Sequence, residues 1–291
     1  MTKITFIGDI HSAADDLQVL LADPMICQNK IVFIGDYIDG KAKRHFSDHT
    51  ETNVLDSLGV LDILMDRVAR CGDVALLGNH DELWVETAKQ DGDGYAEWRE
   101  KAGHQLADKL GITATKLVAV AAALNAKPLR RYTQFLESLP LTWSNDRIVA
   151  VHAGLNWQRP FRRQRKCDLL DIRGDYYFEG RGKHEQWHHN DLGKIIVTGH
   201  TPVQRLGVHS HGYIKMQSNA HDVPRYLIND GSRSKRFDSG IFALTLNGSG
   251  KIVQTKKAIN GVLYDGEQRV TEAMVSRALR FTGHGKRLVH N

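Results

Sequence analysis

The chain has 291 residues, 41% of them apolar, which is enough to bury one large hydrophobic core or two smaller ones. Its 39 basic and 34 acidic residues give a formal net charge of +5, an excess that suits an anionic substrate but is too small to define one. No apolar run approaches the ~18 residues of a membrane span, the N-terminal run is too short for a signal peptide, and three scattered cysteines form neither a disulfide framework nor a metal pair. We therefore expect an unprocessed, soluble protein of a reducing, cytoplasmic compartment.

The first third of the chain alternates short apolar runs with amphipathic segments. The predicted elements are, in order, a strand over 3–7, a helix over 13–21, a strand over 31–34, a helix over 52–70 and a strand over 74–77. Ser12 is placed to cap the first helix, and the second helix repeats its apolar residues at a period close to 3.6. This β-α-β-α-β order favours a parallel sheet covered by helices, so the predicted fold class is α/β.

A helical stretch follows the third strand, and we expect it to be an insertion over about 84–130 that caps the main fold and restricts the substrate. The later predicted elements are helices over 84–89, 95–110, 115–125 and 129–138, strands over 148–151 and 195–198, and a hairpin of 240–246 with 251–255. We expect residues 1–291 to form a single domain that ends in a basic tail over about 271–291.

Five short segments share one design, in which an apolar strand ends and polar side chains follow at once. Because the carboxyl ends of parallel strands line the ligand crevice of such a sheet, these polar residues should meet at one site. The segments are ITFIGDIH (4–11), IVFIGDYID (31–39), VALLGNHD (74–81), IVAVHAG (148–154) and IIVTGHTP (195–202).

The polar residues of these segments are suited to binding two divalent metal ions. Carboxylates and imidazoles are common ligands of first-row divalent ions, and a carboxylate can bridge two of them through its two oxygens. Two ions about 3.5–4 Å apart can share a hydroxide and hold the oxygens of a phosphoryl group during in-line displacement. A single Asp or His at a strand end usually caps a turn, but that interpretation does not account for five such segments in order.

In order and spacing, the motifs GDxH, GDxxD, GNHD, HAG and GHTP resemble those of the calcineurin-like metallophosphoesterases. The likeness runs from Ile4 to about Leu246 and points to the phosphoprotein phosphatases and the related symmetrical diadenosine tetraphosphatases. It implies a four-layered α/β/β/α sandwich with a helical cap and two divalent metal ions between the sheets. Mn²⁺ is the expected ion, with Fe, Zn or Ni as alternatives, because these ligand types do not select sharply among them.

The resemblance assigns a role to each residue that matches a family motif. The implied metal ligands are Asp9 and His11 for the first ion, Asp36 as the bridging carboxylate, and Asn79, His152 and His200 for the second ion. His80 matches the general acid that protonates the leaving oxygen, and Asp39 matches the carboxylate that orients it and raises its pKa. Arg173, in the segment LLDIRGDYY, matches a phosphate-binding arginine.

The segment after the second strand departs from the family pattern. Relatives usually read GDxxDRG or GDxxxRG there, whereas this chain reads GDYIDGK and has Gly40 in place of a phosphate-binding arginine. We expect Lys41 or Arg44 to reach the phosphate instead. Asp39 favours a phosphomonoesterase, because the phosphoprotein phosphatases have this aspartate and the tetraphosphatases typically lack it, whereas GNHD in place of GNHE points the other way.

These observations predict a dinuclear metal-dependent phosphoesterase that hydrolyses phosphate monoesters, like a serine/threonine phosphatase, by attack of a metal-bridging hydroxide. Hydrolysis of bis(5′-nucleosyl) tetraphosphates, the same chemistry with another leaving group, is the alternative. A nucleic-acid phosphoesterase and a non-enzymatic metal-binding module are further hypotheses. The expected partner is a phosphoprotein, a nucleotide or a small phosphoester, with no membrane and no nucleic acid, and the sequence leaves the oligomeric state open.

Overall fold

A computed structural model describes residues 3–101, 103–180, 185–208 and 211–276. Most of the predicted basic tail therefore lies outside the described residues. The helices are α1 (Ala14–Ala22), α2 (Pro24–Cys27), α3 (Ser57–Cys71), α4 (Asn79–Ala88), α5 (Gly92–Lys101), α6 (Gly103–Lys109), α7 (Leu117–Leu124), α8 (Arg130–Glu137), α9 (Lys166–Asp171) and α10 (Gly174–Tyr177). Within these ranges no helix is both long and apolar enough to cross a lipid bilayer.

The strands fall into two main sheets and two short hairpins. They are β1 (Ile4–Ile7), β2 (Lys30–Phe33), β3 (Lys43–His45), β4 (Thr50–Thr52), β5 (Val74–Ala75), β6 (Thr142–Ser144), β7 (Ile148–Val151), β8 (Phe178–Glu179), β9 (Gln186–Trp187), β10 (Ile195–Thr198), β11 (Ile214–Met216), β12 (Arg225–Leu227), β13 (Ile241–Leu246), β14 (Ile252–Ile259) and β15 (Val262–Asp265). One sheet has the order β15-β14-β13-β1-β2-β5, and the other β11-β12-β10-β7-β6. The mixed α/β fold predicted from the sequence is confirmed.

Each sheet has a parallel core, formed by β1, β2 and β5 in the first and by β7, β10 and β12 in the second. Side chains alternate between the two faces of these strands, and both faces are buried. Phe6 of β1 and Val197 of β10 belong to one apolar cluster that joins the two sheets. Ile7 of β1 faces the other way, into a cluster with helix residues such as Leu17. Burial of each such side chain contributes about 1.5–3 kcal/mol, so the strands that carry the site are firmly held.

Two local predictions were wrong. Ser12 does not cap α1, because its hydroxyl hydrogen-bonds the hydroxyl of Ser57 at 2.7 Å, and α1 has no side-chain cap. Helix α3 begins at Ser57 rather than at residue 52, because the carboxylate of Asp56 accepts the N–H of Gly59 and fixes the helix start there. Residues 50–52 instead form β4, which pairs with β3.

The helical stretch begins earlier than the sequence pattern indicated, with α4 at Asn79 rather than at residue 84. It ends with α8 at Glu137, close to the predicted end at residue 138. The first turn of α4 carries two of the predicted site residues, Asn79 and His80, so the helices continue directly from the site. Further along, Lys101 at the end of α5 lines the same cavity as these residues.

Candidate metal centre

Five of the six predicted metal ligands form two groups that share one carboxylate. In one group, potential ligand atoms of Asp9, His11 and Asp36 all lie within 4.8 Å of one another. In the other, Asp36, His152 and His200 meet the same limit. The sixth residue, Asn79, places its side-chain oxygen 3.1 Å from ring nitrogens of both His152 and His200. The structure thus brings together all six residues, in two sets linked by Asp36.

Backbone carbonyls orient two of the imidazoles. Nδ1 of His152 lies 2.8 Å from the carbonyl oxygen of Ile34, and Nδ1 of His11 lies 3.2 Å from that of Ile38. If each Nδ1 carries the proton, the Nε2 atom of each ring is left as a lone-pair donor, the arrangement common among metal-binding histidines. Both carbonyls belong to the chain around Asp36, so the same segment positions the shared carboxylate and the two rings.

Several ligands adopt backbone conformations that are uncommon outside glycine. His11, Asp36 and His200 have positive φ angles of 50°, 56° and 65°. Non-glycine residues seldom adopt this left-handed region, and where they do the strain is often associated with a functional site. The backbone at Gly199 packs closely against Asp9, because a Cβ atom on Gly199 would lie 2.1 Å from Oδ1 of Asp9. The glycines in these motifs therefore give the ligand carboxylates room.

The charges of the site fit a pair of cations. Burial and the neighbouring Asp36 raise the pKa of Asp9 well above its usual value, because two carboxylates lie close together away from water. Burial lowers the pKa of His11, His152 and His200, which keeps the imidazoles in the neutral form that binds metals. Nε2 of His200 is also buried without a hydrogen-bond partner among the described residues. Divalent ions would compensate the carboxylates and satisfy this nitrogen, so the donor set fits the implied metals.

His80 and Asp39 form a pair beside these ligands. Nδ1 of His80 lies 2.9 Å from Oδ2 of Asp39, and the His80 ring is 5.1 Å from the ring of His11. Burial acts to lower the pKa of His80, but the carboxylates of Asp36 and Asp39 outweigh it and raise the pKa to about 9. Cations bound nearby would lower this pKa towards neutrality, since like charges repel. Asp39 therefore fixes the ring of His80, and the general-acid role of His80 stays a prediction.

The three basic residues predicted to bind phosphate have different positions. Arg173 and Lys41 line one cavity of about 350 Å³ together with His11, Asp36 and His200, and Arg173 donates a hydrogen bond from Nη1 to Thr201 at 2.8 Å. Arg44 does not reach this cavity. Its guanidinium is fully buried and donates to Asn53 and to the carbonyl oxygens of Phe237 and Ser239. The expectation that Arg44 contacts the phosphate is therefore wrong.

The structure also reveals site residues that sequence reasoning missed. Asn229 follows β12 and donates its side-chain amide to Oδ2 of Asp9 at 2.6 Å. The carboxylate of Asp81 accepts the backbone N–H groups of Asp36 and Gly78 and so holds two of the motif turns together. The sequence pattern could have indicated Asn229, because this residue follows an apolar strand in YLINDGS, as the predicted ligands do in their own segments.

Comparison with known proteins identifies a family model and a shared fold. The model of the calcineurin-like phosphoesterases matches residues 2–228. A proposed diadenosine tetraphosphatase of known structure has a TM-score of 0.53 and 18% identity, covering 89% of this chain and 95% of that chain. A metallophosphoesterase from Sphaerobacter thermophilus has a TM-score of 0.45 and 15% identity, covering 97% of this chain and 95% of that chain. At 18% identity the first likeness shows the fold alone, and no argument rests on the second. No curated protein matches the chain.

Proposed function

The chain belongs to the calcineurin-like phosphoesterase family, and on that premise we propose that it is a dinuclear metal-dependent phosphomonoesterase of the serine/threonine phosphatase type. The observation that carries this proposal is the His80–Asp39 pair, 2.9 Å apart, beside two ligand groups that share Asp36. When bound, two divalent ions supply charge that polarises the phosphoryl oxygens and lowers the pKa of water, and Mn²⁺ is the ion we expect. The remaining chemistry is done by the chain's own side chains.

The acid pair supports a monoester substrate because of what it does to the leaving group. A serine or threonine alkoxide is a poor leaving group and has to be protonated as the ester bond breaks. His80 carries a proton that it can donate, and Asp39 stabilises the charged imidazole before the transfer. A nucleotide anhydride releases a phosphate that departs readily without such help, so it gains less from the pair.

Arg173 is placed to hold the phosphoryl group. One guanidinium nitrogen bonds Thr201, the residue after His200, and this contact directs the side chain toward the metal ligands. The side chain is exposed in the cavity, so its other N–H groups can donate to two phosphate oxygens. Such donors stabilise the charge that develops on those oxygens during displacement.

Hydrolysis in the presence of Mn²⁺ tests the proposal, with phosphate release measured for the monoesters, nucleotide release for the dinucleoside tetraphosphate and strand cleavage for DNA. The panel consists of p-nitrophenyl phosphate, a phosphoserine peptide, diadenosine tetraphosphate and single-stranded DNA. We expect turnover of the first two substrates and its loss in Asp36→Asn, while Asp191→Asn, a change of the same kind at an exposed position, retains it. Turnover confined to the tetraphosphate or to DNA, or full activity of Asp36→Asn, would contradict the proposal.

A further inference from the structure

The cavity beside the metal ligands is lined by more positive charge than one phosphoryl group requires. Its volume of about 350 Å³ lies within the range of small-molecule pockets, roughly 300–1,000 Å³. Five lysine and arginine residues line it: Lys41, Lys101, Arg173, Arg205 and Arg233. Three of them have evident tasks. Arg173 lies beside the metal ligands, Lys101 pairs with Glu97 at 2.6 Å, and Arg233 pairs with Asp15 and Asp16.

Lys41 and Arg205 have no such task. Both side chains are exposed, and neither makes an ion pair or a side-chain hydrogen bond with any other residue in the part of the chain that the structure describes. Neighbouring contacts nevertheless fix their backbones. The N–H of Lys41 donates to the carbonyl oxygen of Arg233 at 2.8 Å, and the side chain of Gln204 donates to the carbonyl oxygen of Asp230 at 3.2 Å.

These contacts attach the segments that carry the two cations to one loop, residues 229–234, at Arg233 and Asp230. The loop begins at Asn229, which hydrogen-bonds the metal ligand Asp9, and its residues Gly231, Ser232 and Ser234 line the cavity. The loop therefore runs from the metal ligands to the segments that carry Lys41 and Arg205. A substrate whose scissile phosphoryl group lies at the metal ligands would extend along this loop toward both cations.

We propose that Lys41 and Arg205 form a second anion site, and that the substrate places there a second phosphate group besides the one that is hydrolysed. This inference rests on the proposed phosphomonoesterase function. A phosphate monoester carries about −1.5 to −2 charges at neutral pH, which matches two unpaired cations. An arginine can also donate two parallel hydrogen bonds to such a group, and a lysine adds a point charge.

Substrates that differ by one phosphate group test this site. For the Mn²⁺-loaded protein we compare adenosine 3′,5′-bisphosphate with each adenosine monophosphate, by kcat/KM and by calorimetric Kd. The wild type should favour the bisphosphate by about tenfold or more, and the Lys41→Ala/Arg205→Ala double variant should lose most of that preference. Arg162→Ala, which removes an exposed charge outside the cavity, should keep it. A peptide with two phosphoserines, compared with the same peptide carrying one, shows whether the second phosphate comes from a protein instead.

The outcomes separate this inference from the proposed function. Failure to hydrolyse p-nitrophenyl phosphate, which has a single phosphoryl group, contradicts the proposed function. The Kd ratio needs no turnover and tests the second anion site by itself. Equal affinity of the wild type for the singly and doubly phosphorylated members of both pairs would overturn the inference, as would a preference that is unchanged in the double variant.

Discussion

Asn229 donates a 2.6 Å hydrogen bond to the carboxylate of Asp9, which also accepts the backbone N–H of His200 at 3.0 Å. Asp9 lies at the end of β1 and His200 at the end of β10, so the two main sheets meet at this carboxylate. Asn229 itself follows β12. One side-chain amide thus fixes the orientation of Asp9, a predicted metal ligand, from the opposite sheet.

Removal of this amide should weaken metal binding. We expect Asn229→Ala to raise the Kd for Mn²⁺ by about 10–100-fold, because a ligand that has lost its orienting partner must be ordered as the ion binds. Calorimetric titration of the metal-free protein measures the change. Asn219→Ala, an exposed asparagine, is the matched control. Unaltered Mn²⁺ affinity in Asn229→Ala would show that Asp9 does not need this contact.

Loss of the general acid should depend on the leaving group. We expect His80→Asn to lower kcat on a phosphoserine peptide by about 10²–10⁴-fold, and on p-nitrophenyl phosphate by far less, because nitrophenolate departs without a proton. Asp39→Asn should show the same pattern with a smaller loss, since it acts only through His80. The exposed His221→Asn serves as the control. Equal losses on the two esters would contradict the role given to His80.

Restoring the family's arginine at position 40 should not restore the contact of that arginine with the phosphate. A Cβ atom on Gly40 would lie 2.6 Å from the carbonyl oxygen of His11 and 3.1 Å from Cβ of Arg233. We therefore expect Gly40→Arg to lower the free energy of unfolding by about 1–3 kcal/mol, without increasing the phosphatase activity above that of wild type. Gly92→Arg, at a glycine with open space around it, should change stability little. Urea unfolding measures both variants, and a Gly40→Arg protein that is stable and more active than wild type would refute the steric explanation.

Glu86 on α4 should make the stability of the protein depend on pH. Burial and the nearby Glu82 raise its pKa to about 7, although Lys166 opposes them. A raised pKa means that the folded protein binds the proton of Glu86 more tightly than the unfolded chain does. The stabilisation that comes from this proton is therefore fully present at low pH and is lost as the pH rises from about 4.5 to about 7. Glu86→Gln should therefore be more stable than wild type at pH 8 and equal to it well below pH 5.

Solvent screening limits the size of that effect. Because Glu86 is only partly buried, we expect a gain of about 1 kcal/mol or less at pH 8, measured by urea unfolding. Glu100→Gln, an exposed glutamate, should show no difference between the two pH values. A Glu86→Gln variant that is no more stable than wild type at pH 8 would mean that Glu86 is fully solvated there.

The sequence could predict the positions of the six residues because each of them lies one to four residues after the end of a strand. Asp9, Asp36 and His152 come two, three and one residues after the last residue of their strands, so the local pattern determines where their side chains point. Their service as metal ligands stays a prediction. Arg44 shows the limit of such reasoning. It lies in β3, a strand that the sequence did not indicate, and pairing with β4 turns its side chain into the protein.

The remaining parts of the site depend on distant contacts. Arg205 and Lys101 have no motif around them, and only the folded chain brings them to one cavity. The lack of space for a side chain at Gly40 also depends on distant contacts, since its neighbours His11 and Arg233 are far from it in sequence. Spacing along one chain cannot reveal that these backbones pack together.

Metal stoichiometry measured together with phosphate release tests the central claim most directly. The protein is freed of metal with a chelator and titrated with Mn²⁺, while bound metal and turnover of p-nitrophenyl phosphate are followed on the same samples. We predict two Mn²⁺ ions per chain, with turnover appearing only as the second ion binds, because both ligand groups depend on Asp36. A stoichiometry of one, or full turnover by the metal-free protein, would contradict a dinuclear phosphoesterase.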